Sequence, residues 1–305
     1  MIAFLTRRIL LMIPTLWAIA TLTFFMIRLA PGGPFMSEKD IPPSVVEQLQ
    51  HRYGLDRPLG VQYLTFLGNA ARFDFGPSYR FPARSVREII LEGLPVSAEL
   101  GGWALLLALL VGIPVGVLAA RKQNTAIDFG AMTLALAGVS IPNFVLGPVL
   151  VLLFSLTWFL FPPALWQSPA SRVLPVLTLS TSYMAYIARL TRGGMLEVLR
   201  QDFVRTARAK GLPEHIVIGK HALKLGVLPV VSYLGPAAAS IIMGSIAVET
   251  IFGVPGTGRY LVNAAFNRDY TLVMGVVLFY AALLLVLNLI VDIAYTWLDP
   301  RVELR

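Results

Sequence analysis

The strongest constraint in this chain is a succession of long runs that contain no Asp, Glu, Lys or Arg. The hydrocarbon core of a bilayer is about 30 Å thick, so a helix rising about 1.5 Å per residue needs about 20 apolar residues to cross it. Five runs fit one crossing each: residues 9–27, 100–120, 225–248 and 270–291, and the shorter 173–188. Arg172 and Arg189 flank that last run and can snorkel, so its helix is expected to reach from Val173 to about Arg192. Only 14% of the residues are charged, 56% are hydrophobic, and the mean hydropathy is +0.72. That composition excludes a soluble enzyme and predicts an all-α integral membrane protein.

A sixth charge-free run, residues 129–171, is 43 residues long. As a single helix it would measure about 65 Å, twice the bilayer. It can turn at Ile141-Pro142-Asn143 to make two crossings, or make one crossing that ends near Phe161-Pro162-Pro163. Charge decides between these. With one crossing both termini share a side with fourteen cations: Arg7, Arg8, Arg121, Lys122, the eight from Arg189 to Lys224, Arg301 and Arg305. The short loops opposite hold only Arg172, Arg259 and Arg268. The positive-inside rule therefore predicts six spans, cytoplasmic termini, and a kink at Pro142. The net charge of +8 is explained by these loops and does not call for nucleic acid. Arg7-Arg8 before an apolar stretch also suits a signal peptide, but the stretch is too long for a signal core and no small-residue cleavage site follows it.

The organisation expected is an N-terminal segment with the first span (1–28), an external segment (29–97), and a membrane domain with five further spans (98–305) that contains a cytoplasmic loop (193–224). In the external segment Pro42-Pro43-Ser44 with Glu47 reads as a capped helix start that Gly54 stops. Ser85 with Glu88 reads as another, stopped by Gly93. Between them, residues 73–79 are aromatic and turn-rich, an external cap or part of a docking surface for an external partner.

In the cytoplasmic loop, Glu197 to Lys210 has helix-forming composition, Gly211 can take a left-handed C-cap, and Pro213-Glu214 suits the start of another helix. This predicts helix, sharp turn, helix, with Phe203, Ala207 and Lys210 on one face and Arg205 and Arg208 on another. Such a hairpin is suited to a groove on a partner protein.

Several chemistries find no support. With no cysteine there is no disulfide or thiolate metal site. His51, His215 and His221 have no ligand spacing, so no metal site is expected. Residues 253–260 nearly match a phosphate-binding loop, but Arg259 and Tyr260 stand where lysine and a metal-binding hydroxyl belong, so a packed glycine turn is expected instead. Ser180-Thr181-Ser182 has no basic partner within the membrane, and no catalytic residue is assigned. Polar residues within spans usually face a bundle interior or an aqueous path. The channel-lining candidates are Asn143, Thr178, Ser182, Tyr183, Tyr186, Ser240, Ser245 and Asn288. Glu99, Glu249 and Asp292, near the interfaces, are candidate partners for Arg28, Arg172 or the cytoplasmic arginines.

The run from Asp202 to Pro213 resembles the loop by which binding-protein-dependent ABC importer permeases engage their ATPases. The family pattern is Glu-Ala-Ala, three residues, Gly, nine residues, Ile-x-Leu-Pro. Here Arg205-Thr206-Ala207 stands at the first element, Gly211 matches, and His221-Ala222-Leu223-Lys224 stands at the last. The departures resemble those of the dipeptide, oligopeptide and nickel subfamily. Leu29-Ala30-Pro31-Gly32, Phe73-Asp74-Phe75-Gly76, the stretches 94–100 and 249–256, and Lys122-Gln123-Asn124 look most like its oligopeptide-permease B subunits.

The resemblance implies an ABC type I importer-like permease in a bacterial inner membrane, one half of a channel for oligopeptides or dipeptides. Nickel, metal-chelate or glutathione permeases of the same subfamily are the alternative. Implied partners are a homologous permease subunit in a heterodimer, two cytosolic ABC ATPases that bind ATP and magnesium, and an extracytoplasmic peptide-binding protein. The ATPase-coupling residues implied are Arg205, Thr206, Ala207, Arg208, Lys210, Gly211, Leu212 and His221.

Overall fold

The computed structural model describes residues 2–29, 33–35, 43–244 and 246–298. Their secondary structure is helical throughout, the only β feature among them being an isolated bridge between Pro77 and Ser85. Four helices are long and apolar enough to cross a membrane unaided: α1 (Ile2–Leu29), α4 (Val86–Arg121), α7 (Pro169–Val198) and α14 (Tyr270–Leu298). Two further crossings exist if each of two bent pairs is one span. The first pair is α5 (Ala126–Ser140) and α6 (Asn143–Leu150), the latter running on as a π-helical segment, Val151–Thr157. The second bends by 51° at Val227, between α10 (Leu223–Gly226) and α11 (Leu228–Gly244).

Pro142 does more than kink the chain. The axis turns by 104° there, because proline cannot donate to the α5 carbonyls and holds Ile141 extended (φ −85°, ψ 115°). After the second half, the charge-free run unwinds and α7 begins at Pro169, four residues before the expected start. The cause is a reciprocal cap: Ser168 Oγ accepts the Ser171 N–H, Ser171 Oγ accepts the Ser168 N–H, and Pro169 occupies the first turn.

The chain divides into two compact units, residues 1–97 with 255–285 and residues 98–254 with 286–304. In the first, α2 (Pro43–Arg52) and α3 (Leu59–Ala70) lead to α4. Helix α2 already includes Pro43, so Ser44 lies inside it rather than capping it; Pro42 is outside the described residues. Gly54 follows it at φ +64°. The Ser85–Glu88 box forms as expected, Ser85 N–H to Glu88 Oε2 at 2.9 Å and Glu88 N–H to Ser85 Oγ at 3.2 Å. Gly93 does not stop that helix, which is 36 residues long and continues to Arg121. Its lack of a side chain serves packing, since a Cβ there would lie 2.9 Å from the Thr257 nitrogen.

Residues 73–79 fold against the start of α14. Asp269 is fully buried and precedes that helix; it accepts N–H groups from Tyr79, Arg80 and Leu272 and hydroxyls from Ser78 and Thr271. Earlier in the chain, α12 (Ile246–Phe252) gives way at Gly253, φ +63°, and α13 (Thr257–Phe266) follows. Thr257 is buried, its N–H donated to Ser97 Oγ at 2.9 Å and its hydroxyl 2.6 Å from the Tyr280 hydroxyl. The glycine-rich turn is thus a packing joint whose amide is already used.

In the second unit α4 lies against α7 with almost no side chain between them. A Cβ on Gly116 would stand 2.5 Å from the Ala188 carbonyl oxygen, and one on Gly112 2.8 Å from that of Met184. Small residues four apart let membrane helices approach backbone to backbone, where dispersion replaces the hydrophobic drive that lipid does not supply.

Candidate ATPase-coupling hairpin and the polar residues of the spans

Helix α7 ends at Val198, and residues 199–201 break it from α8 (Asp202–Ala209). The single helix expected from Glu197 to Lys210 is therefore two. Gly211 follows at φ +73°, with its N–H to Arg208 O at 2.9 Å and the Leu212 N–H to Ala207 O at 3.4 Å. Those two bonds are the Schellman pair, and the Leu212–Ala207 contact supplies its apolar clasp. Pro213 then caps α9 (Glu214–Ile216), which continues into a π-helical turn, Val217–Ala222. Nothing lies within 4 Å of a Cβ built on Gly211, so glycine is required there by the left-handed backbone rather than by space.

The inward face of α8 differs from the expectation. Val204 and Ala207 are buried in a cluster with Ala120, Met195, Val198, Val217, Ile218 and Ala222, and Leu212 packs on its edge. Ala207 is thus internal mortar rather than a surface group. Phe203, Arg205, Thr206 and Lys210 stay exposed, and His221 is half-buried on the π turn. In so short a helix periodicity allows either face; the apolar ends of α4 and α7 choose the one with Val204 and Ala207.

Arg208 is also committed within the hairpin. Its guanidinium grips Glu214 through two bonds, at 3.2 and 2.8 Å, which closes the turn. Bonding to Glu214 holds the Arg208 guanidinium above its ordinary range, and the same contact holds the Glu214 carboxyl below the usual carboxylate range. At about two-fifths exposure the pair is worth at most about 1 kcal/mol. Arg205 makes only a long contact, 3.6 Å, to the exposed Asp202. The outward surface of the hairpin therefore includes Phe203, Arg205, Thr206 and Lys210 as side chains not committed within it.

A buried ion pair that sequence reading missed sits at the same end of the spans. Arg192 of α7 donates to Asp128 of α5 through Nε at 2.6 Å and one terminal nitrogen at 2.7 Å, and the Asn124 N–H adds a third bond at 3.0 Å. Asp128 is 1% exposed. A carboxylate at the very edge of a 43-residue charge-free run was the available signal, because such a group must find a partner.

The channel-lining candidates separate. Thr178 is fully buried and gives its hydroxyl to Leu174 O at 2.7 Å, so it faces no path. Ser182 is half-buried and ties α7 to α5 through Gly138 O at 3.3 Å, an internal bond rather than a free wall group. Tyr183 packs beside Ala108, Ile187 and Val230. Tyr186 is 40% exposed and packs its ring against Tyr233, tilted by 36° with ring centres 4.5 Å apart. Ser240 is exposed, Asn288 half-buried, and Asn143 has its Oδ1 buried with no hydrogen-bond partner among the described residues. Ser245 lies outside the described residues. At the opposite edge Glu99 pairs with Arg172 at 2.8 Å and accepts the Trp166 N–H at 3.3 Å, one of the interfacial pairings expected.

Comparison with known proteins accounts for this arrangement. Residues 112–304 match the family described as binding-protein-dependent transport system inner membrane component, and residues 1–100 match the N-terminal family of such membrane components. The oligopeptide transport system permease protein OppB of Salmonella typhimurium is 46% identical over 305 residues, 99% of this chain and 100% of that protein. The dipeptide transport system permease protein DppB of Bacillus subtilis is 44% identical, over 100% of this chain and 99% of its own. Among solved structures, the inward-facing MetNI methionine ABC transporter aligns with a TM-score of 0.57 at 15% identity, over 69% of this chain and 96% of that one, a likeness of fold alone. Candidate spans and end-to-end matches agree, and the chain belongs to the family of binding-protein-dependent transport system inner membrane components, multi-pass subunits that carry transport rather than catalysis.

Proposed function

We propose that this chain is one half of the channel of an ATP-driven importer of short peptides, with both termini and the 202–216 hairpin on the cytoplasmic side. The hairpin carries the reading. Its Schellman turn presents a defined surface of Phe203, Arg205, Thr206 and Lys210, while its back is packed on Val117 and Ala120 of α4 and on Met195 and Val198 of α7. The Asp128–Arg192 pair joins α5 to the same end of α7. Displacement of the hairpin by an ATPase therefore moves three helices as one body, the kind of rigid rocking on which alternating access depends.

The partners proposed are a homologous permease subunit, two cytosolic ATPases that bind ATP and magnesium, and an extracytoplasmic binding protein. The relatives are named for oligopeptides and dipeptides. Hydroxyls and tyrosines such as Tyr186 and Ser240 suit peptide backbones of varied sequence, so side-chain selectivity is assigned to the external binding protein. Uptake of labelled di- and oligopeptides is expected to fall to background when the chain is deleted and to return when it is restored. Unchanged peptide uptake with lost nickel or glutathione uptake would transfer the assignment to that branch of the subfamily.

A further inference from the structure

The first compact unit holds a cavity of about 240 Å³ beside the last turn of α1, and its wall is unusually cationic for so apolar a chain. Arg28, Arg52 and Arg57 all line it, and none of the three pairs with a carboxylate among the described residues. The one carboxylate on the wall, Asp74, already accepts the Gly76 N–H at 3.0 Å. Arg28 is held in place. Its guanidinium lies 3.6 Å from the centre of the Phe24 ring and gives Nε and a terminal nitrogen to Gln62 Oε1 at 3.2 and 2.9 Å. Gln62 in turn donates to the carbonyls of Leu55 and Arg57 at 3.0 and 2.7 Å. Among the described residues this half-buried guanidinium is fixed by neutral groups alone, with no anion to offset its charge.

What lies next to the cavity identifies the anion. Arg28 stands at the end of an apolar span, at the depth where headgroups lie. Helix α3 turns Gln62 and Phe66 to the cavity, while Val61 and Leu64, on its other side, are 45% and 69% exposed. A short helix with an exposed apolar face next to a span end lies in the interface plane, with lipid against that face. The anion present there at the highest local concentration is the phosphate of a phospholipid. We infer that this cavity binds the phosphodiester headgroup of an anionic phospholipid, with Arg28 as the fixed contact and Arg52 and Arg57 as mobile clamps.

The test uses the assembled transporter in nanodiscs of phosphatidylcholine with phosphatidylglycerol, counting retained lipids by native mass spectrometry. The wild type is expected to hold phosphatidylglycerol selectively. Arg52→Gln and Arg57→Gln remove exposed side chains without disturbing the Phe24 stack, and each should weaken that retention roughly fivefold. Arg28→Gln should weaken it at least as much, whereas Arg80→Gln, an external arginine outside the cavity, should not. Equal phosphatidylglycerol retention in the wild type and in the Arg52→Gln, Arg57→Gln double variant would overturn the inference. Displacement of the lipid by millimolar inorganic phosphate would also overturn it, and would assign the cavity to a soluble phosphate.

Discussion

Replacing Ala207 by aspartate is expected to abolish ATPase association and transport while leaving the chain in the membrane at normal abundance. The methyl group belongs to a cluster with Val204, Met195 and Val217, all fully buried, so a carboxylate there would be placed among apolar groups away from water. Burying it costs about 3 kcal/mol or more, roughly a hundredfold in the population of the docked hairpin. The chain avoids that cost by releasing the hairpin from the ends of α4 and α7. Limited proteolysis of membranes without ATPases distinguishes this from a lost surface contact. The Ala207→Asp loop should be cleaved faster than wild type, whereas Thr206→Asp, on the exposed side, should leave cleavage unchanged and weaken only ATPase binding. A loop equally resistant in Ala207→Asp would contradict the packing described.

The second large effect is expected at Asp128. Asp128→Ala leaves the Arg192 guanidinium without its two acceptor bonds and the Asn124 N–H, in a left-handed turn at φ +63°, without its acceptor. Removing one partner of a buried pair typically costs about 3–5 kcal/mol, and the lower end applies because the Arg192 side chain keeps 26% of its exposure. The purified complex should lose thermal stability and transport together. The double variant Asp128→Leu with Arg192→Met should recover much of the stability, since two apolar groups need no partner. A single variant as stable and active as wild type would show that α5 and α7 are held by packing alone.

The features that sequence displayed were those fixed by local backbone chemistry. Gly211 followed by Pro213 leaves few conformations for the turn, Ser85 with Glu88 closes a cap over three residues, and Pro142 interrupts any helix it enters. Where neighbours distant in the chain decide, sequence was silent or misleading. Gly93 resembles a helix stop but is a contact point for Thr257, 164 residues away. The inward face of α8 is chosen by α4 and α7, and Asp128 finds Arg192 across 64 residues. The same holds for the polar residues of the spans. A hydroxyl in an apolar helix reads alike whether it faces a channel or its own backbone, and Thr178 does the latter.

The proposed contact between the surface of the 202–216 hairpin and a cytosolic ATPase is directly testable because the chain has no native cysteine. Single cysteines at Arg205, Thr206 and Lys210 are exposed positions on that surface, and Gly68, exposed and on the external side in the proposed topology, is the control. In the assembled transporter, a short thiol-to-amine cross-linker is expected to join the chain to an ATPase subunit from each hairpin position and from none in the Gly68→Cys variant. Intact, transport-competent complexes that give no ATPase adduct from any of the three hairpin cysteines would contradict the account.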